Sequence, residues 1–217
     1  HLPRNVSFPN RFLAHPITVE SLRVKAPDHG EQMKVIGVSE GSLLTQKLLV
    51  YPAVSDGFVM TQTEKDILKI VVLNRYSADA KPSVAFAKGF GLKKGAMAST
   101  IAHDSHNIIA VGCNDDAIVQ AINKLVENKG GIAVCDGDQT EILSLPIAGL
   151  ISPEKGEVVG TAHQLLKSKA HALGCQFAAP FMTLAFMALP VIPELKLTDI
   201  GLFDSASFQF TSLFEKC

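Results

Sequence analysis

Two rhythms of apolar residues run along this chain. The first is a series of short apolar runs punctuated by Gly, Pro and Asp, the pattern of strands and turns. Met33–Val38 and Leu43–Val50 read as strands separated by Ser39-Glu40-Gly41, and Ile17–Val24 as a further extended segment. Ile67–Asn74 (ILKIVVLN) is almost wholly apolar and rich in β-branched residues, which predicts a central strand buried on both faces. Ser83–Ala87, Ala96–Ala102, Ile108–Cys113, Gly131–Cys135 and Glu141–Leu145 continue the series. The second rhythm is helical. Ile118, Ile122, Leu125 and Val126 fall on one stripe. Asn114 stands where an N-cap belongs, Asp115 and Asp116 sit in the first turn where the helix dipole favours them, and Asn128-Lys129-Gly130 is a stop. A second helix is expected to open at a Ser152 cap with Pro153 at its first position, to be firmest from Val158 to Leu173, and to end at Gly174. The tail from Pro180 to Phe210 is very apolar and must pack against something. These elements predict an α+β fold: a mixed, mostly antiparallel β-sheet with two main helices packed on one face. Residues 1–62 read as an irregular lead-in and β-rich segment, and 63–217 as the α+β domain proper.

Composition narrows the function classes. Hydrophobic residues make up 47% of the 217, so a core can be buried. The formal net charge is -1, which leaves no basic field to attract nucleic acid or an anionic membrane. The apolar runs break well short of the ~18 residues that a bilayer span needs. Cys113, Cys135, Cys175 and Cys217 form no C-x-x-C pair and no zinc spacing. They read as buried or incidental thiols in a reducing cytoplasm. The chain opens on His1 rather than Met, as expected of a trimmed product or of a piece of something longer.

The candidate chemistry centres on His103-Asp104-Ser105-His106-Asn107, which interrupts the apolar run from Ser99 to Gly112. A metal site is disfavoured: two histidines and one aspartate supply at most three ligands, with no second cluster nearby in sequence. A catalytic triad is disfavoured because adjacent residues in an extended chain point in different directions. Two readings stay open. One is a turn in which Asp104 and Asn107 bond their own backbone, leaving both histidines unexplained. The other is a polar rim that hydrogen-bonds a ligand or a neighbouring domain. The glycine-rich GFGLKKG stretch, Gly89–Gly95, lacks P-loop lysine spacing and reads as a bend between sheet segments. Ser152, Thr198, Asp199 and Asp204 read as turn or cap residues, and Glu64, Lys65 and Asp66 as a solvated charge cluster.

DILKIVVLNRY, KGFGLKKGAMASTIAHDSHNIIAVG, LPIAGLIS and PFMTLAFMALPVIPELKLTDIGLFD together resemble, in order and spacing, the carboxy-terminal part of bacterial adenine deaminases. These are amidohydrolase-type enzymes that convert adenine and water to hypoxanthine and ammonia. The resemblance is strong from Asp66 to Phe210 and looser from Ile17 to Thr63. It implies that residues 63–217 are the C-terminal domain of such an enzyme. Its metal centre, with manganese, iron or zinc, would lie in an amino-terminal (β/α)8 barrel marked by a His-x-His. None of the seven histidines here forms a His-x-His. By this resemblance the chain carries no metal and no catalytic residue of its own and is inactive alone. Its partners are the barrel, adenine and further copies of the enzyme, in the cytoplasm. His103, Asp104, Ser105, His106 and Asn107 become the substrate-binding residues or active-site rim. The alternative is a structural or oligomerisation domain with no direct part in the chemistry.

Overall fold

A computed structural model describes residues 8–216; His1 and Cys217 lie outside the described residues. In chain order the elements are β1 (Glu31–Gly37), β2 (Gln46–Val50), β3 (Ala53–Ser55), β4 (Phe58–Met60), β5 (Ile67–Leu73), β6 (Ser83–Lys88), β7 (Ala96–Ser99) and β8 (Ile108–Gly112). Then follow α1 (Asp115–Glu127), β9 (Gly131–Asp136), β10 (Gln139–Ser144), α2 (Gly156–Ala172) and α3 (Pro180–Phe186). The chain closes with β11 (Leu195–Thr198), β12 (Gly201–Asp204), β13 (Gln209–Phe210) and β14 (Phe214–Lys216). One nine-stranded sheet runs in the order β10-β9-β7-β8-β5-β6-β1-β14, with β2 also paired to β1. Its pairings are antiparallel except β1 with β6. Strands on both sides of residue 62 share this sheet. The fold is α+β with a mixed, mostly antiparallel sheet, as the apolar pattern predicts.

The alternation within each strand decides where the helices go. Val71 and Leu73 of β5, Ala96 and Ala98 of β7, and Ile108 and Ala110 of β8 point to one side, against Ile118, Ile122 and Leu125 of α1. Ile70, Val72, Met97, Ile109 and Val111 point to the other, against Leu166 and Ala170 of α2 and Phe181 and Leu184 of α3. The two main helices therefore cover opposite faces, not one face. Strands that are apolar on both sides require cover on both. Fully burying each Ile, Leu or Val contributes about 1.5–3 kcal/mol, so neither face can be left to water.

Local signals act as expected in most places. The Asn114 side chain accepts from the Ala117 N–H at 2.8 Å and caps α1. Three expectations are corrected. The Ser152 hydroxyl accepts from the Glu154 N–H in a short turn, and α2 opens only at Gly156 after Lys155. Ile17–Val24 is not a strand but contains a 3-10 turn, Val19–Leu22, with Leu22 fully buried. Asp66 is not a solvated charge: its carboxylate accepts from the Gly89 and Gly91 N–H groups, both at 2.8 Å. The amides that a phosphate would need are thus filled by the chain's own anion, and the glycine stretch is a bend pinned from within. Asp66→Ala strands two amides and is expected to lower the unfolding free energy by about 1–3 kcal/mol, read as a reduced urea midpoint.

Candidate functional site

The five polar residues His103–Asn107 lie in the connection from β7 to β8, at the end of the sheet where β5 finishes and β9 begins. Asp104 and Ser105 are exposed, His103 and His106 partly buried, and Asn107 buried. The turn closes through a 2.6 Å bond from the His106 N–H to the Ala102 carbonyl, with His106 in the left-handed region at φ 53°. The His103 ring lies 4.7 Å from that of Phe186 at the end of α3 and 6.0 Å from that of His106. Among the described residues neither imidazole makes a hydrogen bond to the protein. The Asn107 carboxamide does not close the turn on its own backbone; it accepts from the Arg75 N–H at 3.3 Å.

Arg75 is the residue that the sequence alone does not single out. It stands two residues after the end of β5 and is only 2% exposed. Its Nε donates to the His106 carbonyl at 2.6 Å, and its Nη2 to the Ala148 carbonyl at 2.6 Å and the Tyr76 hydroxyl at 2.8 Å. Its Nη1 donates to the Asn10 side-chain oxygen at 3.3 Å. The Tyr76 hydroxyl in turn donates to the Ser105 carbonyl at 3.0 Å. Gly149 is required beside it: a Cβ there would stand 2.3 Å from Nη1, and the backbone is at φ 70°.

The four sequence stretches singled out above meet here. Asn74-Arg75-Tyr76 ends the first, and the histidine turn belongs to the second. LPIAGLIS supplies Ala148 and Gly149, whose carbonyl accepts from the buried Thr100 hydroxyl at 2.5 Å. The tail supplies Phe186 and Asp199, whose carboxylate accepts from the Asn74 side chain at 2.7 Å. The lead-in crosses the same edge. Leu13 and Ala14 donate their N–H groups to the Arg75 carbonyl, and the Pro9 carbonyl accepts from the Ala148 N–H.

The electrostatics favour uncharged imidazole. Burial first, then the positive fields of His103 and Arg75, hold His106 below the ordinary 6.5, against an opposing pull from Asp104. Other shifted groups lie elsewhere: burial raises the Cys113 thiol to about 11, which makes it inert, and lowers Lys196 to about 8. Cys113, Cys135 and Cys175 are free and buried. A cleft of about 370 Å³ opens at the other end of the sheet, lined by Arg23, Lys69, Asn114 and Asp115. Its buried ammonium is already satisfied by Asp115 at 2.5 Å and by the Leu22 carbonyl. Of the four stretches only the first reaches this cleft, through Lys69, whereas all four meet at the histidine turn, which is the better candidate. Among the described residues no group of three His, Cys, Asp or Glu side chains is placed to hold a metal ion, so the residues present do not fit one. Among the described residues no helix is long and apolar enough to cross a membrane.

An α+β domain with a polar, histidine-bearing turn at one sheet edge is the class that these features define. Comparison with known proteins specifies it further. The family described as adenine deaminase C-terminal domain matches residues 42–209, and the chain belongs to that family. It is 47% identical to an adenine deaminase of Methanosarcina acetivorans over 97% of this chain and 39% of that protein. It is 45% identical to one from Salinibacter ruber over 94% of this chain and 37% of that protein. A third, from Parabacteroides distasonis, is 48% identical over 94% of this chain and 37% of that protein. The chain thus spans less than two-fifths of the length of these relatives.

The His106 environment makes a pH prediction. Its folded value is lowered, so as pH falls the unfolded chain binds the proton first, and stability drops as pH passes below about 6.5. Going from about pH 7.5 to about pH 5.5, the urea midpoint of the wild type is expected to fall more than that of His106→Gln.

Proposed function

We propose that this chain is the C-terminal part of an enzyme that hydrolyses adenine to hypoxanthine and ammonia. In this reading His103, Asp104, Ser105, His106 and Asn107 form the rim against which a preceding amidohydrolase barrel closes, in the cytoplasm. The observation that carries it is the convergence on one sheet edge. The histidine turn, Arg75, the Ala148–Gly149 loop and the lead-in that would come from the preceding part all meet there. The reaction needs an activated water at the purine carbon and a proton for the departing amine. Among the described residues no group is placed to hold a metal ion; in this reading the divalent ion (manganese, iron or zinc) is the barrel's, and no step is assigned to it here. What the rim supplies is recognition and exclusion of water. A neutral imidazole donates from one nitrogen and accepts at the other, which matches the ring nitrogens and amine of a purine.

A second reading is a domain that only joins copies of the enzyme. Val158 and Leu165, 52% and 49% exposed on the outer side of α2, favour it, because they line an apolar groove. Substitution separates the two. Alanine at the counterparts of His103 and His106 in a full-length relative is expected to reduce turnover by about 100-fold or more, with the circular dichroism unchanged. Full turnover with altered assembly would instead support the joining domain. The 217 residues alone, given adenine with manganese, iron or zinc, are expected to release no hypoxanthine.

A further inference from the structure

We propose that Arg75 is the positioning residue of this site, holding the histidine turn in its working shape from behind without touching the ligand. The inference rests on reading that turn as an active-site rim. Only 2% of the residue is exposed, so its guanidinium is not offered to a substrate. Its contacts go instead to three separate segments. Nε reaches the His106 carbonyl, Nη2 the Ala148 carbonyl, and Nη1 the Asn10 side chain. The backbone N–H of the same residue holds Asn107. The residues on either side of the His106–Asn107 peptide are therefore both tied to Arg75, one through its carbonyl and the other through its side chain.

That double tie is what a left-handed non-glycine residue needs. His106 sits at φ 53°, a conformation that a residue bearing a Cβ holds only where the surroundings impose it. Tyr76 adds a second brace: its hydroxyl accepts from Nη2 and donates to the Ser105 carbonyl. The Arg75 carbon lies 4.6 Å from the Tyr76 ring centroid and 5.7 Å from that of Phe12, so aromatic faces flank the cation. A lysine cannot substitute. An ammonium is a single point of charge, while the fork reaches carbonyls on two different loops in fixed directions.

The groups that face His106 are His103 and Asp104 from its own turn and Arg75 from the end of β5. Losing the fork frees the imidazole to swing into water, which removes both the burial and the nearby positive field. Its titration then moves up toward the ordinary imidazole range.

The test uses this chain with isotope-labelled histidine, the His106 signal being assigned by its loss in His106→Gln. Wild type, Arg75→Lys and the milder Tyr76→Phe are titrated by NMR, and the His103–His106 ring contact is followed by cross-relaxation. The expected result is an upward shift of the His106 midpoint in Arg75→Lys, loss of the ring contact, and a smaller shift of the same sign in Tyr76→Phe. A wild-type His106 midpoint and ring contact in folded Arg75→Lys would overturn the proposal, showing that charge alone suffices. If Arg75→Lys does not fold, Tyr76→Phe decides: an unmoved midpoint with the ring contact kept overturns it. Failure of the rim reading looks different. There His103 and His106 substitutions leave turnover of a full-length relative intact, while the Arg75 effects on the turn persist.

Discussion

A guanidinium leaves water only if its N–H groups find acceptors elsewhere, and that constraint organises the end of this domain that carries the histidine turn. The penalty for burying an unpaired ion is several kcal/mol even after relaxation. Arg75 meets it with two backbone carbonyls, a tyrosine hydroxyl and a carboxamide. None of these is a carboxylate, and their neutrality has a structural consequence. Each acceptor comes from a different loop or side chain, so satisfying one cation fixes the relative placement of the lead-in, the β7–β8 turn and the segment after β10. An Asp or Glu partner would have met the same need with two oxygens from one residue, and the loops would have been left independent.

The sheet beneath is built to allow this. On the α1 side β7 and β8 present Ala96, Ala98 and Ala110, small residues that let the helix lie close. On the other side the same strands present Met97, Ile109 and Val111 to α2 and α3. The strands are held from both faces, so their ends are rigid. Loops mounted on rigid ends can be locked by a few hydrogen bonds, because little backbone freedom remains to be lost. The order of the rim is therefore inherited from packing well below it.

Much of the fold is legible in the residues. The β-branched run Ile67–Asn74 announces a central strand, and Asn114 with the Ile118-Ile122-Leu125 stripe announces α1, because burial and capping leave periodic or positional marks. What is not legible has physical causes. Strands apolar on both faces carry no sign of which helix covers which side, so the opposite placement of α1 and α2 stays hidden. The Pro180–Phe186 helix is lost in a run so uniformly apolar that no period survives. Ser152-Pro153 has the form of a helix start, yet the hydroxyl spends itself on a local turn. Of the candidate site, the histidine turn is visible as a polar break in an apolar run. Arg75 is not, because a lone arginine after a strand has the same form whether it ends in water or in three loops.

The disposition of charge bears on the recognition role proposed for the histidine turn. Asp66 occupies the Gly89–Gly91 amides, Asp115 neutralises Lys69, and carbonyls absorb Arg75. The charged groups best placed to bind an ion are thus already committed to the architecture. Among the described residues the two imidazoles of the turn make no hydrogen bond to the protein, and one of them is held toward its neutral form by its surroundings. Stripping water from a neutral donor–acceptor costs far less than stripping it from an ion. A surface of this kind suits a planar, uncharged heterocycle that both donates and accepts hydrogen bonds. It suits a phosphate or carboxylate poorly, since the cation that would attract one is buried and already donates four hydrogen bonds within the domain.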